Sequence, residues 1–328
     1  MVRNANKQSC NQIRLVSLCF LILGLFFSGC NPKSYDLEPC VIYTPGIGCI
    51  SRLPSPFTDL SEHEISTDWG KEVLIANQFA KEMDLYRAIT GYKRALFILP
   101  EDQVERRREI HFHILQCYYL GNKYYDVIEY FQESDLTQIS SQFPALRELL
   151  LILNDSYEKL GYEDRAEHFL NILEKGDEVT ASNLRLSHAI TQGDLCGIQE
   201  HARGHPEQEE FQEFLTCYCK KSKSISTAQT LNAILPGAGY YYIGQKRSAL
   251  TSFLLNASFI YSAIWFFDQG NIGAGVITTS LEMGWYLGGI NGAGLGAKHY
   301  NETLYNCGSQ ELMIRNHLFP VLMWETAF

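Results

Sequence analysis

The hydrophobic pattern divides the chain into two kinds of sequence, of which the first is almost free of charge. Between residues 226 and 300 charged side chains are rare, and Ser248 to Phe267 contains none. About 20 helical residues reach about 30 Å, the thickness of the hydrocarbon core of a bilayer. A second apolar run, Gly270 to Ala297, follows a polar bend and carries one charge, at Glu282. The two runs predict a membrane helical hairpin over residues 226–300.

Small residues recur at every fourth position of the second run. This spacing places them on one face of a helix, and small residues allow helices to approach closely in lipid. The stripe predicts helix packing, either inside the chain or with a second copy in a homo-oligomer. Its members are Ser280, Gly284, Gly288, Gly292 and Gly296.

Glu282 is a candidate functional residue, because an acid inside an apolar helix is costly to bury. The plainer alternative is a protonated or hydrogen-bonded residue that only contributes to helix packing.

The second kind of sequence is polar, helical and repetitive, from about Asp68 to Lys221. Apolar positions recur with a period of 39, which indicates pairs of helices that stack on one another. Residues suited to tight turns separate the helices of each pair, at Met83-Asp84, Gly121-Asn122 and Gly161-Tyr162. A fourth unit, near residues 193–206, is too degenerate to define. The aligned columns are Ile75, Ile114 and Leu153; Phe79, Tyr118 and Tyr157; Ala88, Val127 and Ala166; and Tyr92, Phe131 and Leu170.

This pattern resembles the tetratricopeptide repeat family, most closely in its first unit. The period is longer than the family's, which is about 34 residues, and Met83 stands where the family usually has glycine. The resemblance implies an all-α fold, with a short tetratricopeptide-like α-solenoid over residues 67–222 that binds a protein partner on its concave face. The aromatic column at 79, 118 and 157 is more simply explained as packing between helices. The residues that match the family are Ile75, Ala76, Phe79, Ala88, Tyr92, Ala95 and Pro100.

The N-terminus has the layout of a secretory signal over residues 1–29. Basic residues precede a short apolar run, Leu15 to Phe27, which ends in Ser-Gly-Cys30. That ending resembles the lipobox of bacterial lipoproteins, which implies cleavage before Cys30 and acylation, as with palmitate, of this cysteine. The alternative is an uncleaved membrane anchor.

Residues 30–66 contain five prolines and predict an extended tether. Within it, Cys40 and Cys49 are candidates for a disulfide in an oxidising compartment. The C-terminal tail, residues 301–328, is aromatic and mildly apolar, and its pattern indicates no role.

The start of the membrane hairpin resembles a class of small bacterial membrane modules. Leu235-Pro-Gly-Ala-Gly-Tyr-Tyr-Tyr-Ile-Gly matches their Leu-Pro-Gly-x-Gly-x-x-Tyr-x-Gly pattern, and Ala297-Lys-His-Tyr-Asn301 matches their later segment. The class often follows helical repeats, and the resemblance implies no activity.

Charge limits the range of partners. Residues 61–223 contain 29 acids against 18 Lys and Arg, a balance that disfavours nucleic acid. The basic cluster Glu105-Arg-Arg-Arg-Glu109 is expected to lie on a solvated helix face.

Catalytic and metal-binding motifs are lacking in the sequence. His201 and His205 share the spacing of metal ligands, but a third ligand is not evident and Pro206 interrupts the helix. The sequence therefore predicts a protein that is not an enzyme and that has no metal site and no cofactor.

Two signals disagree about the side of the membrane. The lipoprotein signal places the repeats in the periplasm, whereas Lys246, Arg247 and Lys298 flank the open end of the hairpin and favour the cytoplasm. We expect a membrane-anchored protein of the bacterial cell envelope, bound to lipid and to a protein partner in envelope assembly. The alternative is a subunit of a transport or channel assembly, in which Glu282 lies in an oligomeric pathway.

Overall fold

The computed structural model describes residues 37–328, except for the side chains of Ile47 and Cys49. The predicted signal and Cys30 therefore lie outside the described residues. Regular structure in the described part is entirely helical, as the sequence predicts. The helices are α1 (Ile47–Ile50), α2 (Glu62–Ser66), α3 (Asp68–Lys81), α4 (Leu85–Ile98), α5 (Val104–Leu120), α6 (Tyr124–Glu133), α7 (Leu146–Lys159), α8 (Glu163–Gly176), α9 (Glu178–Gln192), α10 (Leu195–His201), α11 (Gln208–Lys221), α12 (Ile225–Ile234), α13 (Ala238–Tyr242), α14 (Lys246–Asp268) and α15 (Ile272–Arg315), with 3₁₀ turns at Asp135–Gln138 and Pro320–Met323.

The chain forms two compact units. The first, here called the apolar unit, contains Lys223–Asn301, and the second, the helical unit, contains Glu38–Ser222 and Glu302–Phe328. The C-terminal tail thus belongs with the repeats, and α15 begins in the apolar unit and ends in the helical unit.

The predicted turns of the helical unit are present, and they share one backbone geometry. Each contains a left-handed residue, and these residues follow the period of the sequence pattern: Met83 (φ 63°), Asn122 (φ 56°) and Gly161 (φ 77°). In each turn the next amide donates to the carbonyl five residues earlier, at 2.9 Å, which satisfies the end of the preceding helix. Left-handed backbone costs a methionine about 1–2 kcal/mol, so the turn at Met83 is imposed by the packing of its helices.

A fourth helix pair, α9 and α10, continues the series. Gly193 (φ 75°) provides its turn, and Asp194 N–H donates to Ala189 O at 2.9 Å, as in the other turns. The step from Gly161 to Gly193 is shorter than the two earlier steps, from Met83 to Asn122 and from Asn122 to Gly161. The shortened spacing explains why a fixed period does not reveal this unit.

The aligned columns differ in burial. Ala88, Val127 and Ala166 are at most 2% exposed and form the core between paired helices. The aromatic column is less uniform: Tyr157 is buried and stacks on Phe169 at 5.5 Å, whereas its two counterparts in the first units are half-buried. Both observations agree with a packing role for these columns.

The expectation of a solvated face at Glu105–Glu109 is wrong for two of its residues. Arg106 and Glu109 are about a tenth exposed, because the guanidinium binds the extended segment that precedes α2. Arg106 donates to the carbonyls of Thr58 (2.7 Å) and Asp59 (3.0 Å) and to both carboxylate oxygens of Glu64. The Arg106 hydrogen bonds to its carboxylate, with smaller contributions from Ser61, lower the pKa of Glu64 to about 2. The N-terminal tether is thus fixed to α5 over these residues.

In the apolar unit, the glycine motif permits close contact between short helices. A Cβ on Gly239 would lie 2.2 Å from the carbonyl oxygen of Ala228 and 2.8 Å from the Cβ of Ala293, so α12, α13 and α15 meet at this point. Gly237 has φ 93°, and its amide donates to Asn232 Oδ1 at 2.9 Å. The side chain of Asn301 closes the unit through two hydrogen bonds to the backbone of Lys223.

His113 makes the stability of the helical unit depend on pH. It is fully buried in α5, with Nε2 4.0 Å from Glu109 and Nδ1 3.4 Å from Gln116, and burial lowers its pKa to about 4. Because the unfolded chain binds a proton near pH 6.5 and the folded chain does not, stability falls as the pH drops from 6.5 to 4, by about 3 kcal/mol in all. We expect His113→Gln to remove this part of the slope in urea unfolding between pH 4 and 7.

The matched control is His63→Gln, since His63 is solvent-exposed. An unchanged slope in His113→Gln, or the same loss of slope in His63→Gln, would contradict the assignment.

Candidate functional site

The apolar unit exposes a surface suited to lipid. Among residues 37–328, α14 is the one helix that is long and apolar enough to cross a membrane, with a mean hydropathy of 1.5 in its most apolar window. Only 11% of that window is buried, whereas the central helix of a soluble domain would be covered. Large apolar side chains point outward on α14 and on the first half of α15. They include Leu250, Leu254, Tyr261, Ile264, Trp265, Val276, Ile277, Leu281 and Trp285.

The small-residue stripe on α15 has two different environments. A Cβ on Gly292 would lie 2.4 Å from the Tyr240 hydroxyl, and one on Gly296 would lie 2.6 Å from Ile243, so this half packs closely on α13. A Cβ on Gly284 or Gly288 would meet no atom within 4 Å. The first half of the stripe, at Ser280, Gly284 and Gly288, is therefore open, and homo-oligomer formation through it stays a prediction.

Glu282 is 8% exposed, and both carboxylate oxygens are buried without a hydrogen-bond partner in the described part of the chain. A Cβ on Gly289 would contact Ser252, and one on Gly275 would contact Phe267, which sets an antiparallel register of α14 and α15. In this register Glu282 lies about one helical turn from the level of Asn256. The side-chain oxygen of Asn256 is also buried and unpartnered within residues 37–328. The middle of the hairpin thus holds two polar groups that an apolar surround disfavours.

In the helical unit, residues 318–328, here called the tail, cover α5, α7 and α9, which are the first helices of the second, third and fourth helix pairs. The Trp324 ring lies 5.6 Å from Tyr119 on α5, and Phe328 lies 5.5 Å from His113 on the same helix. The 3₁₀ turn Pro320–Met323 packs against α7 and α9. Other parts of the chain hold the backbone of the tail through single hydrogen bonds: Arg147 donates to Met323 O, Glu148 accepts from the amide of Glu325, and Pro54 O accepts from the amide of Ala327.

Arg147, in the first turn of α7, is the main polar anchor of the tail. Its guanidinium donates to Met323 O (2.8 Å), to Asp177 Oδ2 (2.8 Å) and to the Thr180 hydroxyl (2.9 Å). Nearby, the amide of Glu325 donates to Glu148 Oε1 at 3.3 Å. One side chain therefore joins the start of α7, the cap of α9 and the tail.

A cavity of about 540 Å³ remains beside the tail, within the size range of small-molecule sites. The extended segment 41–45 and the tail at Phe319 form its apolar walls. Tyr119, Asp155 and Lys159 line its polar side, where the Tyr119 hydroxyl and Lys159 Nζ both donate to Asp155 Oδ2. His188 also lines the cavity, and burial lowers its pKa. Lys159 is paired with Asp155, and Glu158, which also lines the cavity, accepts a hydrogen bond from Gln192, so the cavity itself indicates no particular ligand.

The remaining candidates are not brought together into a reactive centre. His201 ends α10, whereas the His205 ring packs against Phe211 at 5.1 Å. No group of three His, Cys, Asp or Glu residues with metal-binding geometry occurs within residues 37–328. Cys40 is exposed, and its amide donates to Asn306 Oδ1 at 3.0 Å. Because the side chain of Cys49 is outside the description, the disulfide stays a prediction.

Comparisons with protein-family models, with curated proteins and with solved structures gave no match for this chain. The features that bear on function are the exposed apolar face of α14 and α15 and the stacked helix pairs of the helical unit.

Proposed function

We propose that this protein is a non-enzymatic, membrane-anchored component of the bacterial cell envelope whose helical unit binds a protein partner. The observation that carries the proposal is the exposed apolar surface of α14. An apolar helix that is mostly uncovered gains free energy by moving into lipid, at about 25 cal/mol per Å² of apolar surface. The hairpin of α14 and α15 would then hold the helical unit at the bilayer.

The repeated turns support a tetratricopeptide-like solenoid in the helical unit. Left-handed residues at 83, 122 and 161 and a column of small core residues are what a stacked series of helix pairs requires. The unit departs from a regular series in two respects, because α5 has 17 residues and α6 has 10. Solenoids of this class act as binding surfaces for other proteins, which favours partner recruitment over catalysis.

Lipid on Cys30 would supply a second anchor. A helix that spans the bilayer already holds a protein more firmly than acyl chains do, so the lipid would mainly fix the N-terminal end of the tether at a membrane surface. A lipidated N-terminus and the α14–α15 hairpin together would keep the helical unit at the surface of one membrane. This arrangement fits a scaffold that gathers a partner during envelope assembly.

Globomycin treatment combined with protease digestion of spheroplasts tests the proposal. If Cys30 is processed as in lipoproteins, inhibition of the signal peptidase lets a precursor accumulate, and Cys30→Ser gives the same precursor without the drug. If the helical unit is periplasmic, protease added outside cleaves it in intact spheroplasts.

Each readout has an opposing result. A single protein species with and without globomycin would remove the lipoprotein part of the proposal. A helical unit protected until lysis would place it in the cytoplasm, as the lysines around the hairpin favour. Recovery of the protein in the soluble fraction would contradict membrane anchoring itself.

A subunit of a transport or channel assembly is the second candidate, favoured by Glu282. Its carboxyl is buried in the middle of the hairpin and has no hydrogen-bond partner among the described residues. An ionisable residue at such a place commonly marks an ion pathway. In a scaffold, Glu282→Gln is tolerated because the amide has nearly the same shape, whereas in a pathway it abolishes conduction.

The measurement is the decay of a proton or potassium gradient across vesicles that contain the purified protein. Ser280→Ala serves as a matched control on the open half of the stripe. A leak that is present in the wild type, retained in Ser280→Ala and lost in Glu282→Gln would favour the transport role. The absence of a leak in all three proteins agrees with the scaffold.

A further inference from the structure

The first helix pair leaves uncovered a helix face that the later pairs bury. On α3 this face consists of residues at the i, i+3, i+4 and i+7 positions, which are exposed, whereas the equivalent positions of the second and third pairs are buried. Ile75 is 52% exposed, while its counterparts Ile114 and Leu153 are 0% and 1% exposed. The three sets are Lys71, Leu74, Ile75 and Gln78 on α3; Ile110, His113, Ile114 and Cys117 on α5; and Leu149, Ile152, Leu153 and Ser156 on α7.

On the later helices, the second helix of the preceding pair helps to cover this face. Tyr92 of α4 stacks on His113 of α5, with ring centroids 5.5 Å apart and an interplanar angle of 23°. In the same way α6 packs against α7. The only helix that packs on α3 from the N-terminal side is the five-residue α2, within the described chain. The equivalent of α4 is therefore missing in front of α3, among residues 37–328.

We propose that this face of α3, formed by Lys71, Leu74, Ile75 and Gln78, docks an amphipathic helix of a protein partner. The proposal rests on the proposed function, since it names the surface through which the helical unit would recruit its partner. The repeat defines the chemistry of the occupant: a helix with an apolar stripe and an aromatic residue near its centre, as Tyr92 provides for α5. Stacked repeats bury such faces against their neighbours, and terminal repeats otherwise carry a polar outer face.

A second copy of the chain fits this face less well. In an antiparallel contact between two α3 helices, only Leu74 and Ile75 of each chain would supply apolar area, and Lys71 would face Gln78 of the other copy. That area is far below the roughly 800 Å² per partner of a standard interface. A partner helix with a full apolar stripe would cover the face better, although one helix on one helix still implies weak, reversible binding.

The probe is a helix-stabilised peptide with the sequence of residues 84–99, because this segment contains α4 and covers the equivalent face of α5. Binding to the full-length protein in detergent is measured by fluorescence anisotropy. We expect a Kd in the range of about 10–100 µM, as for a small interface. Leu74→Glu and Ile75→Glu should each weaken binding at least about tenfold, because a buried unpaired carboxylate is costly.

Tyr86→Glu is the matched control, since Tyr86 is a large, largely apolar side chain on α4 and is 83% exposed. It should bind the peptide as the wild type does. All three substitutions are at exposed positions, so folding is expected to persist and is checked by the far-UV circular dichroism and thermal midpoint of each variant.

Three results would overturn the inference. The first is that the peptide does not bind to the wild type, and the second is that Leu74→Glu and Ile75→Glu bind it as tightly as the wild type does. The third is that the protein is a dimer in solution which Ile75→Cys converts to a disulfide-linked dimer, because the face would then bind a second copy. The outcome is independent of export and anchoring. If the peptide binds but the protein is recovered in the soluble fraction, the docking surface stands and the membrane proposal fails. If the protein is membrane-bound but does not bind the peptide, the membrane proposal stands and the docking surface fails.

Discussion

The helical unit depends on the need to bury two helices, α5 and α7, on nearly every side. Almost every residue of α5 from Glu109 to Leu120 is buried, and every residue of α7 from Glu148 to Tyr157 is buried. Neighbouring helix pairs cover part of this surface, and the described part of the tether, at Phe57, and the tail cover more of it. Arginines fix these two segments: Arg106 binds the backbone of the tether, and Arg147 binds that of the tail. Burial of a guanidinium is costly unless it is hydrogen-bonded. Arg106 meets this condition through two backbone carbonyls and two carboxylates, and Arg147 meets it through one backbone carbonyl, one carboxylate and one hydroxyl.

The apolar unit differs from the helical unit, because its core is small and most of its large hydrophobic side chains are on its surface. Its core comprises Ala228, Ile243, Ala293 and Ala297, and glycine allows the short helices to cross closely there. Most large side chains of α14 face outward. Water disfavours such a surface and lipid favours it. The two units therefore suit a protein that has one part in a bilayer and the other in water.

Much of this architecture could be predicted from the sequence. The repeat period located three turns, since a left-handed residue must follow each first helix and only a few residue types accept that backbone readily. The fourth pair escaped because its turn, at Gly193, follows the third turn too soon for that period. The burial of Arg106 could not be read from its charged neighbours, because most of its partners lie more than 40 residues earlier, at Thr58, Asp59 and Glu64. For the same reason the tail, residues 318–328, shows no pattern in the sequence: its order comes from long-range contacts with α5, α7 and α9. The membrane side and the partner depend on residues 1–36 and on molecules outside the described chain.

Hydrogen–deuterium exchange of the full-length protein and its Arg147→Met variant tests most directly whether the tail completes the helical unit. Arg147 makes a charge-assisted hydrogen bond to Met323 O, so its loss should destabilise the tail by about 1.5–3 kcal/mol. We expect the amides of residues 318–328 to exchange at least about tenfold faster in Arg147→Met, with α14 unchanged. Arg94→Met is the control, since the Arg94 side chain is 69% exposed and its loss should leave exchange in the tail as in the wild type. Equal protection of the tail in Arg147→Met and in the wild type would contradict the account.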